Sequence, residues 1–148
     1  MKIDCYSKIK SPYNINQIKV GDKKKFKVKI TKKIHNSFSN FSGDKSPLHT
    51  SKEFCLKNNF KNLVGYAFLI ECLMSKIFGM FFPGGSELCI QQTSKFLKPY
   101  YINDVLKIEL LVSQKNFKAK LITIDTKIFT KNDLIYEGET LFKLSLTK

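Results

Sequence analysis

Seventeen consecutive residues, 66–82, are apolar but for Glu71, Ser75 and Lys76. Such a run is too long for an ordinary strand. A helix that is apolar all round has to be buried all round, so the rest of the chain must wrap it. The run does not read as a membrane span. A span needs about 20 apolar residues with few charges. Here Glu71 and Lys76 interrupt, and Pro83-Gly84-Gly85 closes the segment. The chain has 148 residues, 43% of them hydrophobic, enough for one domain with its own core.

The flanks show what could do the wrapping. Residues 23–31 alternate, with Phe26, Val28 and Ile30 on one face and Lys25, Lys27 and Lys29 on the other. That is the period of a half-buried strand. Thr31 is placed to cap a short helix over 32–41, where Ile34, Phe38 and Phe41 have helical spacing. Residues 42–50 read as a loop, punctuated by Gly43 and Pro47, and 51–58 as another short helix. Four strand candidates follow the apolar run: 88–97, 105–112, 117–130 and 134–146. The clearest sets Leu106, Ile108, Leu110 and Val112 against Lys107 and Glu109. Lys115-Asn116 and Lys131-Asn132-Asp133 supply hairpin turns. Residues 1–18 are polar and mixed, and are expected to form a loosely attached arm. No repeat or linker divides the chain. It reads as one α+β domain over 1–148, an antiparallel sheet wrapped around one long buried helix, which is the hotdog arrangement.

Charge and cysteine usage narrow the function. The net charge is +14, yet all 26 basic residues are lysine and none is arginine. A nucleic-acid binder is expected to use arginine for bidentate phosphate and base contacts. Abundant Asn and Ile beside Lys point instead to an AT-rich coding bias that spreads lysine over the surface. No nucleic-acid partner is expected, though such a surface attracts anionic carriers. Cys5, Cys55, Cys72 and Cys89 are scattered, with no CxxC pair and no histidine cluster. They read as reduced thiols filling small core positions in a cytoplasmic protein, and no metal is expected. No secretory leader is visible at Met1-Lys2-Ile3-Asp4. Cys72, on an apolar helix, reads as inert rather than nucleophilic. His35 has no partner in sequence and is expected at the surface.

The chemistry concentrates in Phe41-Ser42-Gly43-Asp44-Lys45-Ser46-Pro47-Leu48-His49. An Asp and a His five apart across a proline-bearing loop can converge on one small volume. Two such groups can take a proton and return one, which is what general acid–base chemistry needs. Gly65 stands where the long helix begins, and a helix start carries unpaired N–H groups that favour developing negative charge. By spacing alone, Asp44 reads equally well as a turn or helix cap, and His49 as a satisfied loop residue.

This segment resembles the hydratase signature of MaoC-like proteins and R-specific enoyl-CoA hydratases, which commonly reads Ser-Gly-Asp-x-Asn-Pro-x-His. The similarity extends over roughly residues 20–145. Val64-Gly65 occupies the place of the family's His-Gly pair, and Phe82-Pro83-Gly84 matches the Pro-Gly after the central helix. The resemblance implies that Asp44 and His49 hold a catalytic water, that the Gly65 N–H binds a thioester oxygen, and that Ser75 lines the site. It implies hydration of a trans-2-enoyl thioester to the (R)-3-hydroxyacyl thioester, on coenzyme A or acyl carrier protein. No cofactor is needed beyond the carrier in the substrate. The sequence departs at Ser46, where the family has Asn, and at Val64, where it has His. Those departures keep open a non-catalytic acyl-thioester binding subunit. Thioester hydrolysis on the same fold is the third alternative. A homodimer is expected, because a hotdog sheet leaves an edge and a helix end that the family pairs.

Overall fold

Nine elements follow one another among the described residues. They are β1 (Lys23–Lys29), α1 (Lys32–Ser42), α2 (Pro47–Thr50), α3 (Lys52–Lys57), α4 (Ala67–Met80), β2 (Glu87–Phe96), β3 (Val105–Asn116), β4 (Leu121–Thr130) and β5 (Asp133–Leu144). The computed structural model describes residues 13–85, 87–131 and 133–144. The five strands form one antiparallel sheet in the order β1-β3-β4-β5-β2. The alternation seen in the sequence sorts the faces. Phe26 and Val28 of β1 and Leu106, Ile108, Leu110 and Val112 of β3 are buried. They join Leu69, Ile70, Met74, Ile77 and Phe78 of α4 in one core cluster. The sheet thus curls over the long helix, as a hotdog domain does. Thr31 caps α1 as expected, its Oγ1 accepting the Ile34 N–H at 3.2 Å.

The wrap is incomplete, and this corrects the expectation of a helix buried all round. Phe68 is 71% exposed, and Cys72 and Ser75 are exposed as well. These positions follow i, i+4, i+7 spacing and so form one bare stripe. Strand β2 is exposed over nearly its whole length, with Leu88, Ile90 and Phe96 uncovered. Five strands reach round only part of the circumference of α4. The two sheet edges also differ. On β1 the outward positions Lys23, Lys25, Lys27 and Lys29 are all exposed, whereas β2 offers apolar residues.

Other expectations shift for local reasons. The arm expected over 1–18 lies, for residues 1–12, outside the described residues. Its remainder is not loose: Ile18 is fully buried, Tyr13 and Ile15 pack against the core, and the Tyr13 N–H meets the Pro83 carbonyl at 2.9 Å. The loop expected over 42–50 contains the single-turn α2, started by Pro47, whose fixed φ suits a first helical position. The turn expected at Lys115-Asn116 falls two residues later. Asn116 Oδ1 accepts the Ala119 N–H, and Lys120 takes φ 55°. Cys55 is buried, as a core thiol should be, but Cys72 and Cys89 are exposed. Among the described residues no helix is long and apolar enough to cross a membrane.

Candidate active site

Gly43 sets the geometry at the end of α1. It adopts φ 73°, a left-handed conformation that glycine accepts without strain, and its N–H closes on the Ser39 carbonyl. The chain turns out of the helix there, and Asp44 follows. The Asp44 carboxylate folds back on its own loop. Oδ1 accepts the Ser46 N–H at 2.9 Å, leaving Oδ2 free of that turn. Oδ2 lies 3.9 Å from His49 Nε2. His49 sits in the last turn of the four-residue α2, and its Nδ1 is 2.8 Å from the Val64 carbonyl. A carbonyl only accepts, so Nδ1 carries the proton and Nε2 keeps its lone pair toward Asp44. Both readings of Asp44 therefore hold together: it makes a turn with one oxygen and faces the histidine with the other.

Three residues that the sequence did not assign to the site hold this pair. Tyr66, just before α4, donates its hydroxyl to the Asp44 carbonyl at 3.0 Å. Its ring centroid lies 4.0 Å from that of His49. Ser39 Oγ donates to the same carbonyl at 3.0 Å. His35, expected at the surface, is instead only 2% exposed, and its Nε2 meets the His49 carbonyl at 2.9 Å. Burial lowers the His35 pKa from the usual histidine value, against the bond to the His49 carbonyl, which raises it; the nearby His49 ring lowers it further. The one signal available in the sequence was spacing. His35 and Ser39 are polar, four apart, and so share a side of α1.

The other expected site residues fare differently. Gly65 is beside the site, but its N–H is already bound to the Tyr100 carbonyl at 2.7 Å. The resemblance implied a thioester-oxygen role for this N–H; in this structure the Tyr100 carbonyl occupies it. A Cβ at Gly65 would meet the Tyr100 ring at 2.1–2.6 Å, so this glycine serves close packing. Tyr100 is fixed in turn by its buried hydroxyl, which donates to the Tyr66 carbonyl at 2.7 Å. Burial raises the pKa of that phenol far above the usual tyrosine value. Ser46 contributes through its main chain. Its N–H serves Asp44, its carbonyl accepts the His49 N–H at 2.9 Å, and its side chain makes no capping bond. Val64 likewise contributes a carbonyl rather than a side chain. Ser75 is not brought to the pair. It lines a separate cavity with Glu71, Met74, Gln92 and Thr140, where Glu71 accepts from Ser94 at 2.6 Å and Tyr136 at 3.0 Å. Burial pushes the Tyr136 phenol up to about 12.

His49 lines a cavity of about 360 Å³ between α2, the start of α4 and the chain after β2, while Asp44 is not part of its wall. Leu48, Ala67, Ile70, Phe96 and Leu97 make its walls largely apolar, and His49 and Lys98 add polar side chains. Ala67 is the first residue of α4, and first-turn N–H groups have no acceptor within the helix. An apolar pocket with the His49 ring on its wall, and the Asp44 carboxylate 3.9 Å from that ring's Nε2, suits proton transfer beside a carbonyl. Among the described residues no three His, Cys, Asp or Glu side chains are grouped to hold a metal ion.

Known proteins are similar to this chain in sequence and in fold. An (R)-specific enoyl-CoA hydratase of Aeromonas caviae is 26% identical over 128 residues, covering 86% of this chain and 96% of that protein. A 3-hydroxybutyryl-CoA dehydratase of Methylorubrum extorquens is 23% identical over 127 residues, covering 86% and 81%. In fold, the unliganded R-hydratase of Pseudomonas aeruginosa superposes with a TM-score of 0.82 at 24% identity, over 91% of this chain and 93% of that one. The family model described as MaoC like domain matches residues 16–132, which takes in the Asp44–His49 loop, all of α4 and most of the sheet. With sheet, helix and loop matched together, the chain belongs to the MaoC-like domain family.

Proposed function

We propose that the chain catalyses the reversible hydration of a trans-2-enoyl thioester to the (R)-3-hydroxyacyl thioester. The observation that carries this reading is the gap of 3.9 Å between Asp44 Oδ2 and His49 Nε2. Two acceptors at that spacing suit a single water that donates one hydrogen to each. Its oxygen attacks the β-carbon of the enoyl group while one acceptor takes a proton. Electron density passes through the α-carbon to the thioester oxygen, and the protonated partner then delivers its proton to the α-carbon. Dehydration runs the same steps backwards. The assignment of base and acid within so close a pair belongs to the pair as a whole. Negative charge building on the thioester oxygen needs a donor. Gly65 is engaged, so the Ala67 N–H takes that role here, supported by its place on the cavity wall and at the positive end of α4. The names of the relatives support the same chemistry, and R-specificity is carried over from them. Coenzyme A and acyl carrier protein both present anionic carriers that a chain of net charge +14 attracts. The reaction moves only protons and water, so it calls for no metal or redox group.

The working form in this proposal is a homodimer in a cytoplasmic setting. Its interface is the bare stripe of α4 together with the β2 edge, where Phe68, Leu88, Ile90 and Phe96 are uncovered. An edge strand left apolar is an aggregation risk unless another chain covers it, and the opposite edge already carries lysines against that risk. Mixing purified protein with crotonyl-CoA tests the activity. Falling absorbance of the conjugated thioester supports the hydratase; acyl-thioester binding with no spectral change at any chain length leaves a binding subunit instead.

A further inference from the structure

Helix α1 buries only two residues fully, His35 and Ser39, and both are polar. The inner side of a surface helix ordinarily presents apolar groups. Here each of the two sends a bond to the main chain of one member of the pair: His35 to the His49 carbonyl, Ser39 to the Asp44 carbonyl. We propose that His35 is a positioning residue for His49. Its Nε2–H, held against the His49 carbonyl, keeps the α2 turn where His49 Nδ1 meets Val64 and Nε2 faces Asp44. The proposal rests on the reading of Asp44 and His49 as the catalytic pair, but it concerns geometry that is measurable without turnover.

Three observations carry it. First, α2 is a single turn of four residues, too short to hold itself by internal bonds, so contacts from outside set its orientation. Second, the rings interlock. Tyr66 lies between the histidines, 4.7 Å from His35 and 4.0 Å from His49 by centroid, and His35 and His49 are 6.5 Å apart. The Tyr66 ring packs against both imidazoles, and His35 is buried beside it. Third, His35 Nδ1 is buried and finds no hydrogen-bond partner among the described residues. An apolar side chain of similar shape would fill the same space without burying an unmatched polar atom. Volume alone therefore does not account for a histidine at this position; its donor does. The accepting carbonyl fixes the proton on Nε2, and burial favours that neutral ring.

The test compares His35→Leu with His35→Gln. Gln places an amide N–H as many bonds from Cβ as histidine Nε2, while Leu offers no donor. The chain has two histidines in all, so in either variant every imidazole signal belongs to His49. By NMR, the His49 Nδ1 proton is expected to be sharp and slowly exchanging in the parent. It should broaden, with mixed tautomers, in His35→Leu and recover in His35→Gln. On crotonyl-CoA, His35→Leu should lower kcat about ten-fold or more with KM changed by less than about two-fold, because misplacement acts on the chemical step. His35→Gln should regain most of kcat. A folded His35→Leu protein with a parental His49 signal and parental kcat overturns the proposal, while leaving the hydratase reading intact. If the parent turns over no enoyl thioester, the hydratase reading fails, and the NMR comparison alone decides the role of His35. Should His35→Leu fail to fold, His35→Gln decides: a parental His49 signal supports the proposal and a lost one overturns it.

Discussion

Gly65→Ala separates a packing glycine from an oxyanion donor. Alanine keeps the N–H, and Gly65 is outside the left-handed region, so the added methyl is the whole perturbation. Its Cβ would lie 2.1, 2.2 and 2.6 Å from three atoms of the Tyr100 ring. The ring cannot yield freely, because its hydroxyl is tied to the Tyr66 carbonyl in the interior. Overpacking of a tight site costs about 1–3 kcal/mol. Breaking the buried hydroxyl bond to relieve it adds about 1–3 kcal/mol. A total of about 3 kcal/mol lowers Tm by roughly 6–12 °C in a chain of this size. Thermal unfolding followed by circular dichroism reads this directly. Tyr100→Ala in the same background should restore part of the loss, since residues in contact couple by about 0.5–3 kcal/mol. A Gly65→Ala protein that melts within about 2 °C of the parent while losing activity would refute the packing argument.

Further outcomes follow from the same site. Asp44→Asn and His49→Ala should each slow hydration of crotonyl-CoA by about 10²–10⁴-fold, and the double variant should be nearly as slow as either alone, because the two act on one water. Additive losses in steady-state kinetics would count against a shared water. Ser39→Ala and Tyr66→Phe should each cost about 0.5–1.5 kcal/mol in urea unfolding, since each leaves the other donor on the Asp44 carbonyl. Their combination should cost more than the sum, because it strips both donors from that oxygen. Cys72 and Cys89 are exposed in the single chain and lie on the proposed dimer face. Mass-mapped alkylation should be slow at both when the protein is concentrated and faster on dilution, while equal rates at all concentrations would argue for a monomer. At any concentration Cys89 should react faster as pH rises, because partial burial holds its thiol pKa above the usual value.

Features written locally were legible. The alternation of Phe26, Val28 and Ile30, and of Leu106 to Val112, marks strands because a period of two needs only neighbours to be read. The length of the apolar run excluded a strand and announced the central helix. Asp44 and His49 were legible because one short loop carries both. What escaped depends on contacts between distant segments. His35 meets His49 across 14 residues and Tyr66 meets Asp44 across 22. The partner that engages the Gly65 N–H is Tyr100, on the far side of α4 and β2 in sequence. Composition says that α4 is apolar all round, but the number and curl of the strands decide which side stays bare. Cys72 was misread as a core thiol for that reason.

The bonds that hold the Asp44–His49 loop run to main-chain atoms. The Ser46 N–H and carbonyl, the Val64 carbonyl and the His49 carbonyl all belong to the backbone. Any residue supplies a carbonyl, and any but proline an N–H. A chain with other side chains at positions 46 and 64, as here, therefore keeps these bonds. A search pattern that insists on Asn before the proline and His before the glycine passes over such chains. One that asks for Ser-Gly-Asp, a proline three residues on and a histidine two beyond it still finds them.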